Sequence, residues 1–201
     1  MAEGLHMSVI PSKRTLVSAA EGSRRKMDKW QKLEEKLAYR NFRQVSQVTY
    51  RLPGGKEHVF DIIGREGGSA VCILALTPDK QLVLARQYRP GPDVIYDELP
   101  GGGVDKAEDV TTAAARELLE ETGYSGSIEF VGSTFPSAYE RMCRNVCVAK
   151  DCVKTAKPSL EEAESVEVIF KSLEEFRGQL RQGELTDVFG AYMALDHLGL
   201  L

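Results

Sequence analysis

The stretch that most constrains this chain is residues 101–124, GGGVDKAEDVTTAAARELLEETGY. It opens with three glycines and continues into a segment without Gly or Pro between positions 110 and 122. Asp109 can cap the start of a helix, because its side chain can accept backbone N–H groups of the first turn. Gly123 suits the left-handed conformation in which helices commonly end. The pattern therefore predicts a glycine turn followed by a helix over residues 110–122.

The predicted helix carries three carboxylates on one side. At about 100° per residue, Glu117, Glu120 and Glu121 fall within an arc of about 100°, beside an apolar stripe that includes Leu118. Like charges one turn apart repel by roughly 0.2–0.5 kcal/mol per pair, and the cost rises where they lose hydration. A solvated acidic helix face is one interpretation. The other is a site for a hard divalent cation, which prefers carboxylate oxygens.

The spacing of this stretch resembles the Nudix box, G-x5-E-x7-R-E-U-x-E-E-x-G-U, in which U is a bulky apolar residue. The matching positions are Gly102, Glu108, Arg116, Glu117, Leu118, Glu120, Glu121 and Gly123. Tyr124 is a mild departure at the last apolar position. The resemblance implies an α/β (α+β) fold of the Nudix type: an α/β/α sandwich with a mixed β-sheet and an N-terminal antiparallel hairpin.

The resemblance also implies hydrolysis of a nucleoside diphosphate linked to another moiety, with Mg²⁺, or Mn²⁺ in its place, as cofactor. By box position, the site comprises two main metal ligands (Glu117 and Glu121), a third ligand or base (Glu120) and groups that support the carboxylates (Glu108 and Arg116). The glycines at 101–103 let the backbone approach a ligand closely. The carbonyl of Gly101 can itself face a metal, and Gly102 supports the turn.

A second, narrower resemblance lies just before the box. Residues 87–89 (QYR) and 98–102 (ELPGG) resemble the QYR…ELPAG run of ADP-ribose pyrophosphatases, with Gly101 in place of Ala. From charge alone, Arg86 and Arg89 are candidate phosphate contacts, because Arg donates two parallel hydrogen bonds to phosphate. Their alternative is a salt bridge at a strand end. Glu98 can accept a hydrogen bond from an adenine amine or a ribose hydroxyl.

The polar loop at residues 135–141 follows the box by about ten residues. The same subfamily often takes a catalytic Glu, and a proline linked with ADP-ribose preference, from such a loop. Glu140 and Pro136 are the candidates here, although Pro136 lies closer to the box than in the subfamily pattern. The alternative for Glu140 is an exposed loop acid.

The rest of the chain divides into three parts by composition and pattern. We predict a flexible tail at 1–27, a helix and hairpin at 28–64 that form a dimerisation arm, and a catalytic domain at 65–201. Within them, helices are expected at 28–39, 172–181 and 187–197, and strands at 42–51, 58–63, 69–76, 81–89, 94–99, 127–134, 145–149 and 165–170. Residues 154–164 are expected to form a surface loop.

Composition limits the partners. A net charge of −4 is not typical of nucleic-acid or membrane-surface binding, for which a basic patch is the usual signature. No apolar run approaches the roughly 20 residues that span a bilayer, and no apolar leader is visible at the N-terminus. The four cysteines show no zinc-site spacing, so a cytoplasmic protein with free thiols is expected. We predict a homodimer that acts on a nucleoside diphosphate sugar.

The residues and the resemblance together favour Mg²⁺-dependent hydrolysis of ADP-ribose to AMP and ribose 5-phosphate. One alternative is a hydrolase of another nucleoside diphosphate sugar, such as GDP-mannose or UDP-glucose. Another is a module that senses ADP-ribose without cleaving it. Such modules usually lose box carboxylates and carry a DNA-binding domain, whereas this chain keeps every box acid.

Overall fold

The computed structural model describes residues 27–160 and 165–201. The predicted tail therefore lies outside the described residues apart from its last position. The elements in chain order are β1 (Gln31–Arg40), β2 (Gln44–Arg51), β3 (Glu57–Ile63), β4 (Ser69–Leu76), β5 (Leu82–Arg89), β6 (Val94–Glu98), α1 (Val110–Thr122), β7 (Tyr124–Thr134), β8 (Cys143–Lys154), β9 (Val166–Lys171), α2 (Leu173–Gln182) and α3 (Val188–His197).

The strands form two sheets within the described chain. A three-stranded antiparallel sheet has the order β1-β2-β3. A six-stranded sheet has the order β6-β5-β4-β8-β7, with β9 paired to β5. Strands β4 and β8 run parallel, while β5, β6, β7 and β9 pair antiparallel with their neighbours, so the larger sheet is mixed.

The larger sheet lies between two helical layers. Residues of α1, including Leu118, pack with Val71 and Ile73 on one face of β4. Residues of α2 and α3, including Phe176 and Leu195, pack with the opposite face. Since β4 is covered on both sides, its continuous apolar sequence SAVCILAL is buried as predicted. The α/β/α arrangement with a mixed sheet and an N-terminal hairpin is confirmed.

Helix α1 begins and ends where its sequence predicts. Asp109 Oδ1 accepts the backbone N–H groups of Thr111 and Thr112 at 3.0 and 3.1 Å, which caps the first turn. Gly123 is left-handed, with a φ of 74°, and its N–H donates to Leu119 O at 2.8 Å. The carboxylates of the helix are therefore held at fixed positions relative to both ends.

The predicted helix at 28–39 is wrong, because Gln31–Arg40 forms strand β1. Its Lys, Glu, Gln and Leu residues have good helix propensity, but helix propensity is a weak prior that tertiary context overrides. Here β1 pairs with β2 along its length, and the Trp30 ring lies 5.4 Å from that of Phe60 and 6.2 Å from that of Tyr50. These contacts come from residues far along the chain, so local sequence does not reveal them.

Two other boundaries differ from expectation. Strand β7 starts at Tyr124, immediately after the helix cap, and β8 runs to Lys154, into the stretch predicted as surface loop. The two strands pair over their length across register shifts, which extends both beyond their apolar centres. Part of the predicted loop, residues 161–164, lies outside the described residues.

The helices of the described ranges lack the combination of length and apolar character that a bilayer-spanning helix requires. All four cysteines are free thiols. Burial raises the pKa of Cys147 and that of Cys152 to about 11 each. Since the thiolate is the nucleophile, these two residues are unreactive core positions.

Candidate active site

The glycine turn is held against the edge of β4. Val71 N donates to Gly102 O at 2.8 Å, Ile73 N donates to Pro100 O at 2.9 Å, and Val104 N donates to Ser69 O at 3.0 Å. β8 pairs with one edge of β4, and β5 pairs with the other edge only at Ala75 and Leu76. The turn bonds to β4 before that point, so it continues the sheet as an irregular strand. Three backbone hydrogen bonds therefore attach residues 100–104 to β4.

The close fit of the turn requires glycine at two positions. A Cβ on Gly101 would lie 2.1 Å from Val71 O, and the φ of Gly101 is 156°. A Cβ on Gly102 would lie 2.4 Å from Glu117 Oε2. The turn is therefore wedged between β4 and α1, with the Glu117 carboxylate directly against the Gly102 backbone.

Arg116 is the hub of the site. Its Nε and Nη2 donate to the two Glu108 carboxylate oxygens at 3.1 and 3.0 Å, and Nη2 also donates to Gly103 O at 2.9 Å. Its Nη1 donates to Glu117 Oε1 at 2.9 Å and to Glu120 Oε2 at 3.0 Å. One guanidinium thus connects three box carboxylates and the glycine turn.

The charges of this hub stabilise one another. Hydrogen bonding to Glu108, and after it to Glu117 and Glu120, raises the pKa of Arg116 against the opposing effect of burial. The Arg116 guanidinium, and next the Asp105 backbone, lower the pKa of Glu108. Because Glu108 forms a two-point pair with Arg116, it orients the guanidinium toward the acids of α1.

Glu121 lies deepest of the helix acids, with 4% of the residue exposed. Its Oε2 accepts the backbone N–H of Gly101 at 2.9 Å, which offsets part of the cost of burying the carboxylate. Side-chain exposure is 12% for Glu117 and 44% for Glu120. The three acids therefore run from a buried carboxylate against the turn to one that opens to solvent.

These residues fit a divalent ion by donor chemistry. Glu117, Glu120 and Glu121 offer carboxylate oxygens from one side of α1, and hard cations such as Mg²⁺ bind one or two carboxylates and complete their shell with water and phosphate oxygens. In residues 27–160 and 165–201, no three acidic, His or Cys side chains are gathered around a single point that could hold a metal ion.

Arg89, the last residue of β5, forms an ion pair with Glu98, the last residue of β6, which lies opposite Ala85 in the antiparallel pairing. The Glu98 residue is 2% exposed, and its Oε1 accepts the backbone N–H of Thr186 at 2.8 Å. Glu98 is thus a buried anchor for Arg89, whose side chain is 34% exposed. The ion pair brings the Arg89 guanidinium to Glu98, which precedes Gly101 by three positions in the sequence.

Arg86 lies on the same strand and pairs with Asp97, with Nε 2.6 Å from Oδ1. A second acid, Glu167, lies 3.7 Å from its Nη1. The hydrogen bond that Arg86 donates to the Asp97 carboxylate raises the pKa of Arg86. The structure therefore shows Arg86 in the strand-end salt bridge that the sequence left as its alternative, with 42% of its side chain exposed.

A second Arg–carboxylate pair, which lies near Arg89, was not predicted from the sequence. Arg144 Nε lies 2.9 Å from Asp187 Oδ1, close enough for an ion pair but misaligned for a hydrogen bond. Burial raises the pKa of Asp187, and the charge of Arg144 opposes that effect. Glu98 and Arg89 are near enough to influence the same carboxyl. No local pattern indicated this pair, because Arg144 and Asp187 lie 43 positions apart in the sequence.

The loop candidates are placed at the junction of the two sheets. Glu140 forms an isolated bridge with Ile63 at the end of β3, and its Oε1 lies 3.8 Å from Arg43 Nη1. The Glu140 side chain is 15% exposed, so the exposed-loop interpretation does not describe it. Pro136 is exposed in the same loop. The loop leads into β8, whose Cys143 N donates to Gly68 O at 3.0 Å, beside the start of β4.

Comparisons with known proteins agree with this site. A family model described as NUDIX domain matches residues 67–194. An ADP-ribose pyrophosphatase of Bacillus subtilis is 30% identical over 152 residues, which cover 74% of this chain and 80% of that protein. The methanol dehydrogenase activator of Bacillus methanolicus is 32% identical over 148 residues, or 72% of this chain and 77% of that protein.

An ADP-ribose pyrophosphatase of Saccharomyces cerevisiae is 37% identical over 94 residues, which span only 42% of this chain and 41% of that protein. A crystal structure of an ADP compounds hydrolase has the same fold, with a TM-score of 0.72 over 88% of this chain and 99% of that one, at 22% identity. The matched box, its geometry and these relatives lead to one conclusion. The chain belongs to the Nudix family, as a Nudix pyrophosphohydrolase.

Proposed function

We propose that this protein hydrolyses the diphosphate bond of ADP-ribose, with Mg²⁺ as cofactor and with AMP and ribose 5-phosphate as products. The observation that carries the proposal is the Arg116 hub, which ties three box carboxylates to the glycine turn. Relatives named ADP-ribose pyrophosphatase support the choice of substrate. The relative named methanol dehydrogenase activator has a similar identity, so the substrate needs its own test.

The residues divide the work of the reaction. Glu117, Glu120 and Glu121 would hold the divalent ion, with the Gly101 carbonyl beside them. When bound, such an ion neutralises diphosphate charge and lowers the pKa of a bound water. The water oxygen forms a bond to one phosphorus, the bond from that phosphorus to the bridging oxygen breaks, and water supplies the proton and hydroxyl that complete the two products.

Two carboxylates are candidates for the base that accepts the proton of the attacking water. Glu120 is the most exposed acid of the α1 site, with 44% of its side chain exposed. Glu140 lies on the loop that enters β8 beside β4. The base has to come within hydrogen-bond reach of the water that it deprotonates.

Arg89 supplies the cationic partner for the phosphate charge left after metal binding. Arg89 forms an ion pair with the buried Glu98, and 34% of the Arg89 side chain is exposed to solvent. Arg carries further donors in a planar fork beyond those a single carboxylate uses. Arg86, Glu98 and Pro136 remain proposed substrate contacts, although Arg86 and Glu98 already hold protein partners.

The assembly proposed with this activity is a cytoplasmic homodimer, with no nucleic-acid partner. Strand β1 supports the dimer, since it pairs only on its β2 side within the described residues. It also exposes Leu37 and Tyr39, at 50% and 54%. An open strand edge with exposed apolar residues is a pairing surface that proteins usually cover. Residues 28–64 would then form the dimerisation arm and residues 65–201 the catalytic domain.

The test is a substrate panel with product identification. ADP-ribose should give the highest kcat/KM among ADP-ribose, GDP-mannose, UDP-glucose, diadenosine polyphosphates and nucleoside triphosphates. A preference of about tenfold or more for GDP-mannose or UDP-glucose, about 1.4 kcal/mol in transition-state binding, would overturn the substrate. Tight binding of ADP-ribose without turnover would instead support the sensing module.

A further inference from the structure

The end of β3 forms a short backbone ladder with the loop that carries Glu140. Ile63 N donates to Tyr139 O at 2.8 Å, and Arg141 N donates to Ile63 O at 3.0 Å. The two bonds flank Glu140 on both sides. The three-stranded sheet is therefore hydrogen-bonded to the loop on both sides of Glu140, the residue proposed to act in hydrolysis.

Side chains reinforce this ladder from the same sheet. Arg141 Nη1 donates to Glu35 Oε1 of β1 at 2.8 Å, and the two side chains are only 19% and 24% exposed. The Phe60 ring stacks on the Tyr139 ring, with centroids 6.1 Å apart and planes at 19°. Lys32, also on β1, forms a second ion pair with the Glu35 carboxylate.

Residues 139–141 are connected through the backbone to the end of the larger sheet that carries the glycine turn. Arg141 is followed by Met142 and then by Cys143, which starts β8 and bonds to Gly68. The next residue, Ser69, bonds through its carbonyl to Val104, which follows the glycine turn. A displacement of residues 139–141 would therefore move Glu140 relative to the turn and α1.

We propose that Glu35 is a positioning residue for hydrolysis: through Arg141, it fixes the 139–141 segment on the N-terminal sheet and thereby sets the position of Glu140. The inference rests on the role proposed above for Glu140. It assigns a function to β1 within its own chain, in addition to any part that β1 has in a dimer. Loss of the contact should affect the chemical step more than substrate binding, because Glu35 acts on Glu140.

The variant E35Q removes the charge and keeps the shape of the side chain. Its matched control is E34Q, because Glu34 precedes Glu35 on β1 and points to the opposite face of the sheet. R141Q removes the other partner, and E35Q/R141Q removes both. Two readouts apply to the full chain: hydrogen–deuterium exchange at residues 139–141 without substrate, and kcat and KM on the best substrate of the panel.

We expect several-fold faster exchange at residues 139–141 in E35Q and R141Q, and wild-type exchange in E34Q, because loosened segments open more often. We expect kcat to fall by about tenfold in E35Q with a small change in KM, since small misplacements of a catalytic group are costly. The double variant should resemble the single variants, because each substitution removes the charge–charge pairing between Glu35 and Arg141.

Wild-type exchange in E35Q, or a kcat in E35Q equal to that in E34Q, would overturn the proposal. The exchange measurement uses no substrate, so it is independent of the assignment to ADP-ribose. Should the panel select another diphosphate, the proposed function fails, while the exchange and kcat comparisons still test the positioning role on that substrate.

Discussion

The Gly102 backbone and the Glu117 carboxylate are in direct contact, such that a Cβ at position 102 would lie 2.4 Å from Oε2 and 2.5 Å from Oε1 of Glu117. The carboxylate has little freedom to move away, since Arg116 Nη1 holds its Oε1 at 2.9 Å. The box glycine is therefore required by a side chain of the site, in addition to the path of the turn.

G102A should inactivate the enzyme without unfolding it. The added methyl group displaces the Glu117 carboxylate from Arg116, and a misplacement of about 1 Å can lower kcat by about 10²-fold. Steady-state kinetics and thermal melting check this. The control is G178A in α2, where a Cβ meets no atom within 4 Å. Wild-type turnover in G102A would show that the Glu117 position is irrelevant to the reaction.

E121Q should fold and lose activity. The amide oxygen of Gln can still accept the Gly101 N–H, and the substitution removes one of the clustered negative charges. We expect kcat to fall by about 10²-fold or more, the scale of removing one preorganised electrostatic group. Added Mg²⁺ should not restore it. E174Q, on the exposed side of α2, serves as the control, and turnover of E121Q close to that of E174Q would contradict the metal-ligand role.

R89A tests the phosphate contact. It should raise KM more than it lowers kcat if the contact is equal in the ground and transition states. Removing Arg89 alone leaves the buried Glu98 carboxylate without this partner, which can cost about 3–5 kcal/mol of stability. We therefore compare E98Q with R89A/E98Q, in which the buried charge is already absent. A KM that does not change between these two variants would exclude Arg89 from substrate binding.

Glu35 should make stability depend on pH in a defined window. Hydrogen bonds from Lys32 and then from Arg141 lower its pKa from 4.5 to about 2 in the folded protein. A lowered folded-state pKa adds stability that is fully present above the unfolded pKa and is lost as pH falls through the folded one. The urea midpoints of the wild type and E35Q should therefore differ most above pH 4.5 and converge as pH falls toward 2. A constant difference across this window would contradict the ion pair.

Truncation tests the dimerisation arm. Deleting residues 1–27 should leave a dimer with full activity, whereas deleting residues 1–51 removes β1 and β2 and should abolish both. Light scattering and turnover on the same samples check the two outcomes. Full-length protein that is monomeric at micromolar concentration and fully active would remove the dimer from the proposed function.

The sequence alone predicted the features that depend on residues close together in the chain. The caps of α1, the buried β4 and the spacing of the box acids depend on residues within one turn or one strand, so patterns in the chain predict them. The same holds for the need for glycine before the helix, because a tight turn beside an acidic helix is already encoded by residues 101–124.

Tertiary structure decided what depends on distant partners. Residues 31–40 became a strand because β2 and the aromatic rings of Tyr50 and Phe60 were available to pair with it, against the local preference for helix. The roles of Arg144 and Glu35 depend on Asp187 and Arg141, which lie 43 and 106 positions away from them. Ion pairs across such separations have no local sequence signature, since only the packing of the two sheets brings their charges together.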